Sequence, residues 1–164
     1  MLTKIIFREF LGHEPDWRPA EPNITNMLAI SDAALLIGDP ALSLSGNSES
    51  AIRDPQSAIR TFDLANLWHH HTGLGFVFAM WMTRQPSIGI DFAAARDEGL
   101  EYLPEIIANY ESDIHLGPDQ MRSYLSENIS YSVDESMHAG LELFFDLSLA
   151  NGLIETRRKL DYVL

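Results

Sequence analysis

Three consecutive histidines, His69-His70-His71, are the residues of this 164-residue sequence whose side chains most readily suggest a metal site. Adjacent positions on a helix point about 100° apart, so three neighbouring imidazoles cannot converge on one ion. Ligand pairs on a helix stand at i and i+4, and no such partner appears in this segment. The spacing favours histidines in a last helical turn, where a cation suits the negative end of the helix dipole. Leu36-Ile37-Gly38-Asp39 offers different chemistry. Glycine permits a close backbone approach, and ligands of open α/β folds bind beyond the carboxyl ends of strands. Asp39 is equally well read as a turn residue bonded to nearby backbone N–H groups. Gly73-Leu74-Gly75-Phe76 is the pattern of a turn before an apolar run.

The remaining reactive side chains carry blander readings. Arg84 could pair with a carboxylate, but a solvated arginine is the commoner state. Glu98, Glu101 and Glu105 are helix-spaced and read as a solvated face. Trp68, Phe76, Phe78 and Trp81 read as core before they read as a stacking platform. No Ser-His-Asp or Cys-His order and no phosphate-cradling glycine loop is present.

Composition narrows the possible partners. The formal net charge is −13, from 11 Lys and Arg against 24 Asp and Glu. Such a chain has no basic face to displace counterions from nucleic acid. A small anion remains possible as a ligand, held by local backbone N–H groups against the long-range field. The absence of cysteine excludes disulfides and thiolate metal sites. No segment approaches the roughly 18 apolar residues of a membrane span. The apolar start is broken by Arg8 and Glu9 without a following cleavage site, so a cytoplasmic location is expected.

The elements that must position these residues follow from hydrophobic spacing. Leu2, Ile5, Ile6 and Phe10 predict a helix ended by Gly12, with no capping residue before it. Pro15, Pro19 and Pro22 mark an extended connector, and Asn23 caps a short helix. The apolar runs 33–37 and 76–82, with a brief strand at 61–62, predict strands of a mostly parallel sheet. Residues 43–57 read as a loop. Asp63 caps a helix that Gly73 closes. Four helices are expected after the last strand, over 91–98 with a break at Gly99, onward to about Ser112, from Pro118 to about Glu127, and from a capping-box pattern at 132–135 to Asn151-Gly152. The order is α-β-α-β-α-β followed by helices alone, and a sheet of two or three strands cannot cover them all.

Several stretches resemble chorismate dehydratases of the futalosine route to menaquinone. They are Ser31 to Leu42 (SDAALLIGDPAL), Asp63-Leu64 with Trp68, Thr72 to Trp81 (TGLGFVFAMW), Tyr124-Leu125 with Ile129-Ser130-Tyr131, and Ala139 to Phe145 (AGLELFF). Gly75 stands where the family carries proline. The resemblance implies the type II periplasmic-binding-protein-like α/β fold, with two lobes closing on a ligand. On that reading residues 1–75 are the second lobe with a truncated amino end and 76–84 are the crossover strand. Residues 85–164 are helices expected to pack on a missing first lobe, and their exposed surface would permit a homodimer. The implied activity is elimination of water from chorismate without metal or organic cofactor. The catalytic groups would lie in the first lobe, leaving this chain inactive by itself. Gly38, Asp39, Gly73 and Phe76 are the expected substrate-binding residues. The alternative is a non-catalytic lobe that holds a small anion.

Overall fold

The computed structural model describes residues 1–46, 59–85, 89–114 and 116–162. The chain divides into two compact units built from discontinuous segments. The first contains Met1–Asp16, Thr61–Ile90 and Ser132–Leu164, and the second contains Trp17–Arg60 and Asp91–Tyr131. Among the described residues, no helix is long and apolar enough to cross a membrane.

The first unit has three helical pieces around one apolar cluster. Helix α1, Leu2–Ile5, continues into a π-helical turn, Ile6–Phe10. Helix α4, Leu64–Thr72, and helix α8, Glu135–Ala150, complete the set. The expected i, i+3, i+4 pattern of α1 is realised: Leu2, Ile5 and Ile6 are buried together with Trp68 of α4. Phe10, Leu64, Leu67, Phe76, Leu143, Phe144, Leu147 and Leu153 pack around these four. Asp63 caps α4 by accepting from the Asn66 N–H at 2.8 Å, and Gly73 ends it in the left-handed conformation at φ +70°. The start of α8 differs from expectation. Asp134 serves as the N-cap, accepting from Met137 N–H at 2.7 Å. Each such cap is worth on the order of 1 kcal/mol.

The end of α8 is tied back to the start of the chain. Asn151 Nδ2 donates to Glu9 Oε1 at 2.6 Å and to the Leu147 carbonyl at 2.8 Å. Arg8 donates to the Asn151 carbonyl at 3.1 Å while also pairing with Glu14. That partnership with Glu14 raises the Arg8 pKa above its ordinary value. Arg157 closes the tail onto α8 by pairing with Glu142 and Asp146, which lie four residues apart on one helical face.

The second unit contains α2 (Ile24–Leu28), α3 (Asp39–Gly46), α5 (Phe92–Glu101), α6 (Leu103–Ile114) and α7 (Pro118–Ser123). A π-helical turn, Tyr124–Asn128, extends α7. Asn23 caps α2 as expected, and Asp91, expected as the first residue of its helix, instead caps α5. Pro118 takes the first turn of α7, where its missing N–H costs nothing. Gln120 Oε1 reaches back to the Gly117 N–H at 3.2 Å. Helix α5 runs through Gly99 rather than breaking there. Ile107, Leu116 and Met121 form the unit's small core, with Leu42, Leu103 and Leu125 against them.

The parallel-sheet α/β expectation is not met, because the described residues contain no strand. Segments 33–37, 61–62 and 76–82 are irregular rather than laddered, and the run at 33–37 is not buried on both faces. Ile37 is 77% exposed. Phe78, Trp81 and Met82 are exposed too. An apolar run records a tendency to be covered, whereas a strand exists only through hydrogen bonds to a neighbouring strand. The expected loop at 43–57 begins as the end of α3 through Gly46, and its remainder lies outside the described residues.

Two measurements check this arrangement. A Cβ on Gly140 would stand 1.9 Å from the Gly75 carbonyl oxygen. Gly140→Ala gains about 1 kcal/mol of helix propensity, yet backbone overlap of this kind costs about 1–3 kcal/mol. The expected outcome is a lower denaturant midpoint at unchanged slope; an unchanged or higher midpoint would mean that α8 does not rest on this carbonyl. In the second unit, burial first and then Tyr124 raise the Tyr131 pKa. A raised folded pKa gives stability that is complete below the unfolded value near 10 and is lost as pH rises through the folded one. The denaturant midpoint should fall as pH rises from about 9 to 11, and less steeply in Tyr131→Phe.

Candidate functional site

The expected site residues fall in both units. Gly38 and Asp39 belong to the second, and Gly73 and Phe76 to the first. Gly38 adopts φ +70° with open space beside its Cα, and both it and Asp39 are exposed. Its carbonyl accepts from Ala41 and Leu42 N–H at 2.9 and 3.0 Å, which starts α3 with Asp39 in the first turn. Gly38 and Asp39 therefore form a helix entrance, with the acidic side chain at the favourable end of the dipole.

Gly73 and Phe76 share one turn, and that turn is the most tightly determined polar feature of the first unit. Thr72 Oγ1 donates to the Trp68 carbonyl at 2.8 Å and accepts from Leu74 N–H at 3.1 Å. His69 Nδ1 lies 3.3 Å from the Leu74 carbonyl. The Gly75 carbonyl accepts from the Trp68 indole N–H at 3.1 Å. The Gly75 N–H, which a proline would lack, donates to Ser136 Oγ at 3.0 Å. Both sides of this residue are thereby held, one by α4 and the other by α8. A side chain at Gly75 would collide with Met137, its Cβ falling 2.7 Å from Met137 Cγ. Phe76 then turns into the core, edge-on to Trp68 at 5.4 Å and to Phe144 at 5.2 Å.

The aromatic set divides. Trp68 is buried in the core and the partly buried Phe76 packs against it, while Phe78 and Trp81 are exposed. Phe78 keeps an edge contact with Phe76 at 4.8 Å. The three histidines are separately engaged at the end of α4. His69 faces the Leu74 carbonyl, His71 stacks on Phe10 at 4.8 Å, and His70 meets the His71 ring at 5.1 Å. Among the described residues no group of three or more His, Asp or Glu could hold a metal ion. Arg84 is exposed, and so are Glu98, Glu101 and Glu105.

Sequence reasoning missed Ser136 and Gly140. Gly140 had a signal, since a glycine inside an apolar-periodic helix sacrifices about 1 kcal/mol and calls for a packing reason. Ser136 had none, because a serine in a first helical turn is ordinary. The turn also carries no charge from Thr72 to Thr83. It presents backbone and apolar surface, so it can shape and orient a ligand, but it offers no side chain able to move a proton.

Comparison with known proteins fits these motifs. The menaquinone biosynthesis family matches residues 1–149. The chorismate dehydratase of Thermus thermophilus is 29% identical over 155 residues, covering 87% of this chain and 56% of that protein. The chain thus spans about half the length of that curated relative. Because the family match extends over nearly all of these residues, with the histidine-ended helix, the Gly73–Phe76 turn and α8 inside it, the chain belongs to the menaquinone biosynthesis family, the chorismate dehydratase family that its motifs resemble.

Proposed function

We propose that the protein carrying these residues dehydrates chorismate to 3-[(1-carboxyvinyl)oxy]benzoate, acting as a carbon–oxygen hydro-lyase of menaquinone biosynthesis. The observation that carries this reading is the similarity to the Thermus chorismate dehydratase across 87% of the chain. The elimination removes one ring proton and one hydroxide, and the ring becomes aromatic. It needs no net oxidant or reductant. It does need a base for the proton, assistance to the departing hydroxide and donors for two carboxylates.

In this reading the chain supplies surface that contacts the substrate rather than the reacting base. Gly73 and Phe76 present a fixed, uncharged surface against which the ring can lie; Gly38 and Asp39, in the other unit, are proposed as substrate-binding residues in their own right. A rigid apolar wall favours the reaction by restricting the substrate to productive orientations. No catalytic residue is assigned among these positions. The 164 residues, spanning about half the relative's length, are proposed to be inactive by themselves.

The gene product carrying these residues, incubated with chorismate, should consume it and release the enolpyruvyl benzoate in equal amount. Phe76→Ala should lower kcat/KM by roughly 10-fold, about 1.4 kcal/mol of transition-state stabilisation. The 164 residues alone should be at least about 100-fold slower, the scale of a lost positioning contribution. Calorimetric binding of chorismate with no product formed would sink the dehydratase reading and leave an anion-binding module.

A further inference from the structure

From the contacts around Gly75 we infer that Ser136 is a positioning residue for the substrate wall, acting through the Gly73–Phe76 turn. This rests on the dehydratase reading for its functional half. The structural half stands on geometry alone.

Gly75 has no side chain, so only its backbone groups can fix the turn, and both are bonded. Its carbonyl is set by Trp68, a residue with no exposed surface that cannot move without opening the core. Its N–H donates to Ser136 Oγ at 3.0 Å. The two anchors differ in kind. Trp68 belongs to α4, the helix that runs directly into the turn, seven residues before Gly75. Ser136 lies sixty-one residues away and is half-buried in the first turn of α8. Ser136 is thus the hydrogen-bonding partner on α8 that holds the Leu74–Gly75 peptide group.

Gly140 makes that transmission tight. It lets α8 approach until its Cα region rests on the Gly75 carbonyl, one helical turn beyond Ser136. The hydroxyl and the missing side chain act on opposite ends of one glycine residue. Losing the hydroxyl frees the N–H side of that residue while the carbonyl side stays seated. The consequence is a turn that rocks about its Trp68 anchor, with Gly73 and Leu74 on the freed side shifting more than Phe76 beyond the seated carbonyl. A wall that rocks binds substrate less well in both ground and transition states. The signature is a raised KM with little change in kcat.

The experiment compares Ser136→Ala and Ser136→Thr with the parent in the gene product that carries these residues. Amide exchange at Gly75 and Leu143 is read by NMR, together with the kinetics of chorismate dehydration. For Ser136→Ala we expect Gly75 exchange to accelerate at least 10-fold with Leu143, deeper in α8, unchanged. KM for chorismate should rise 3- to 10-fold and kcat should stay within twofold. Ser136→Thr, which keeps the hydroxyl, should restore both. Unchanged exchange at Gly75 in Ser136→Ala would overturn the clamp. Faster exchange with an unchanged KM would overturn the placement of this turn in the substrate wall. Equal acceleration at Gly75 and Leu143 would reduce Ser136 to a general stability role and also overturn the inference. A parent protein without turnover defeats the dehydratase reading instead, and the exchange comparison still decides whether Ser136 holds the turn.

Discussion

The first unit depends on one residue, Gly75, whose carbonyl and N–H are claimed from two directions. Its carbonyl satisfies the only polar atom of the Trp68 side chain, the largest of the fully buried residues. An indole N–H buried without an acceptor costs about 1–3 kcal/mol, so the burial of Trp68 and the path of the turn are one decision. The same carbonyl presses against Gly140, which sets the distance of α8 from the turn. Helix α8 carries Leu143, Phe144 and Leu147 into the cluster around Trp68. A small backbone feature thereby governs how three helical pieces share one core.

The far end of α8 is held by different physics. Charged and amide groups of Arg8, Glu9, Glu14 and Asn151 join it to the start of the chain, and Arg157 draws the tail onto it. Such contacts are solvent-exposed and individually modest in strength. Their value is in direction: they fix which way α8 runs once the apolar cluster has fixed where it sits. Among the described residues the second unit has no counterpart to Trp68. Its core is three buried aliphatic residues supported by well-formed helix starts at Asn23, Asp91 and Pro118.

On the proposed dehydratase reading these features take on a functional meaning. A chain of net charge −13 is a poor attractor for a dicarboxylate at long range. The uncharged stretch from Thr72 to Thr83 keeps repulsive groups out of the sequence around the turn. On that reading such a segment contributes orientation by an apolar wall, while proton transfer requires groups of another kind. The histidines beside it are committed to local contacts with Leu74, Phe10 and one another.

Much was legible before any fold was known, because it was local. Caps at Asn23 and Asp63, the glycine end of α4, the proline start of α7 and the inward face of α1 all follow from hydrogen bonds and spacings within a few residues. The family was legible for the same reason, since its motifs are contiguous. The sheet expectation failed at 33–37 and 76–82, where apolar composition was taken to imply pairing that only another strand can supply. The break expected at Gly99 failed because glycine weakens a helix without forbidding it. Ser136 and Gly140 became meaningful only when α8 was laid against residue 75. The sequence by itself determined where helices begin and end and which residues seek burial, because those depend on neighbours along the chain. Only the tertiary structure decided which backbone groups meet, because a hydrogen bond between residues 75 and 136 depends on distance in space.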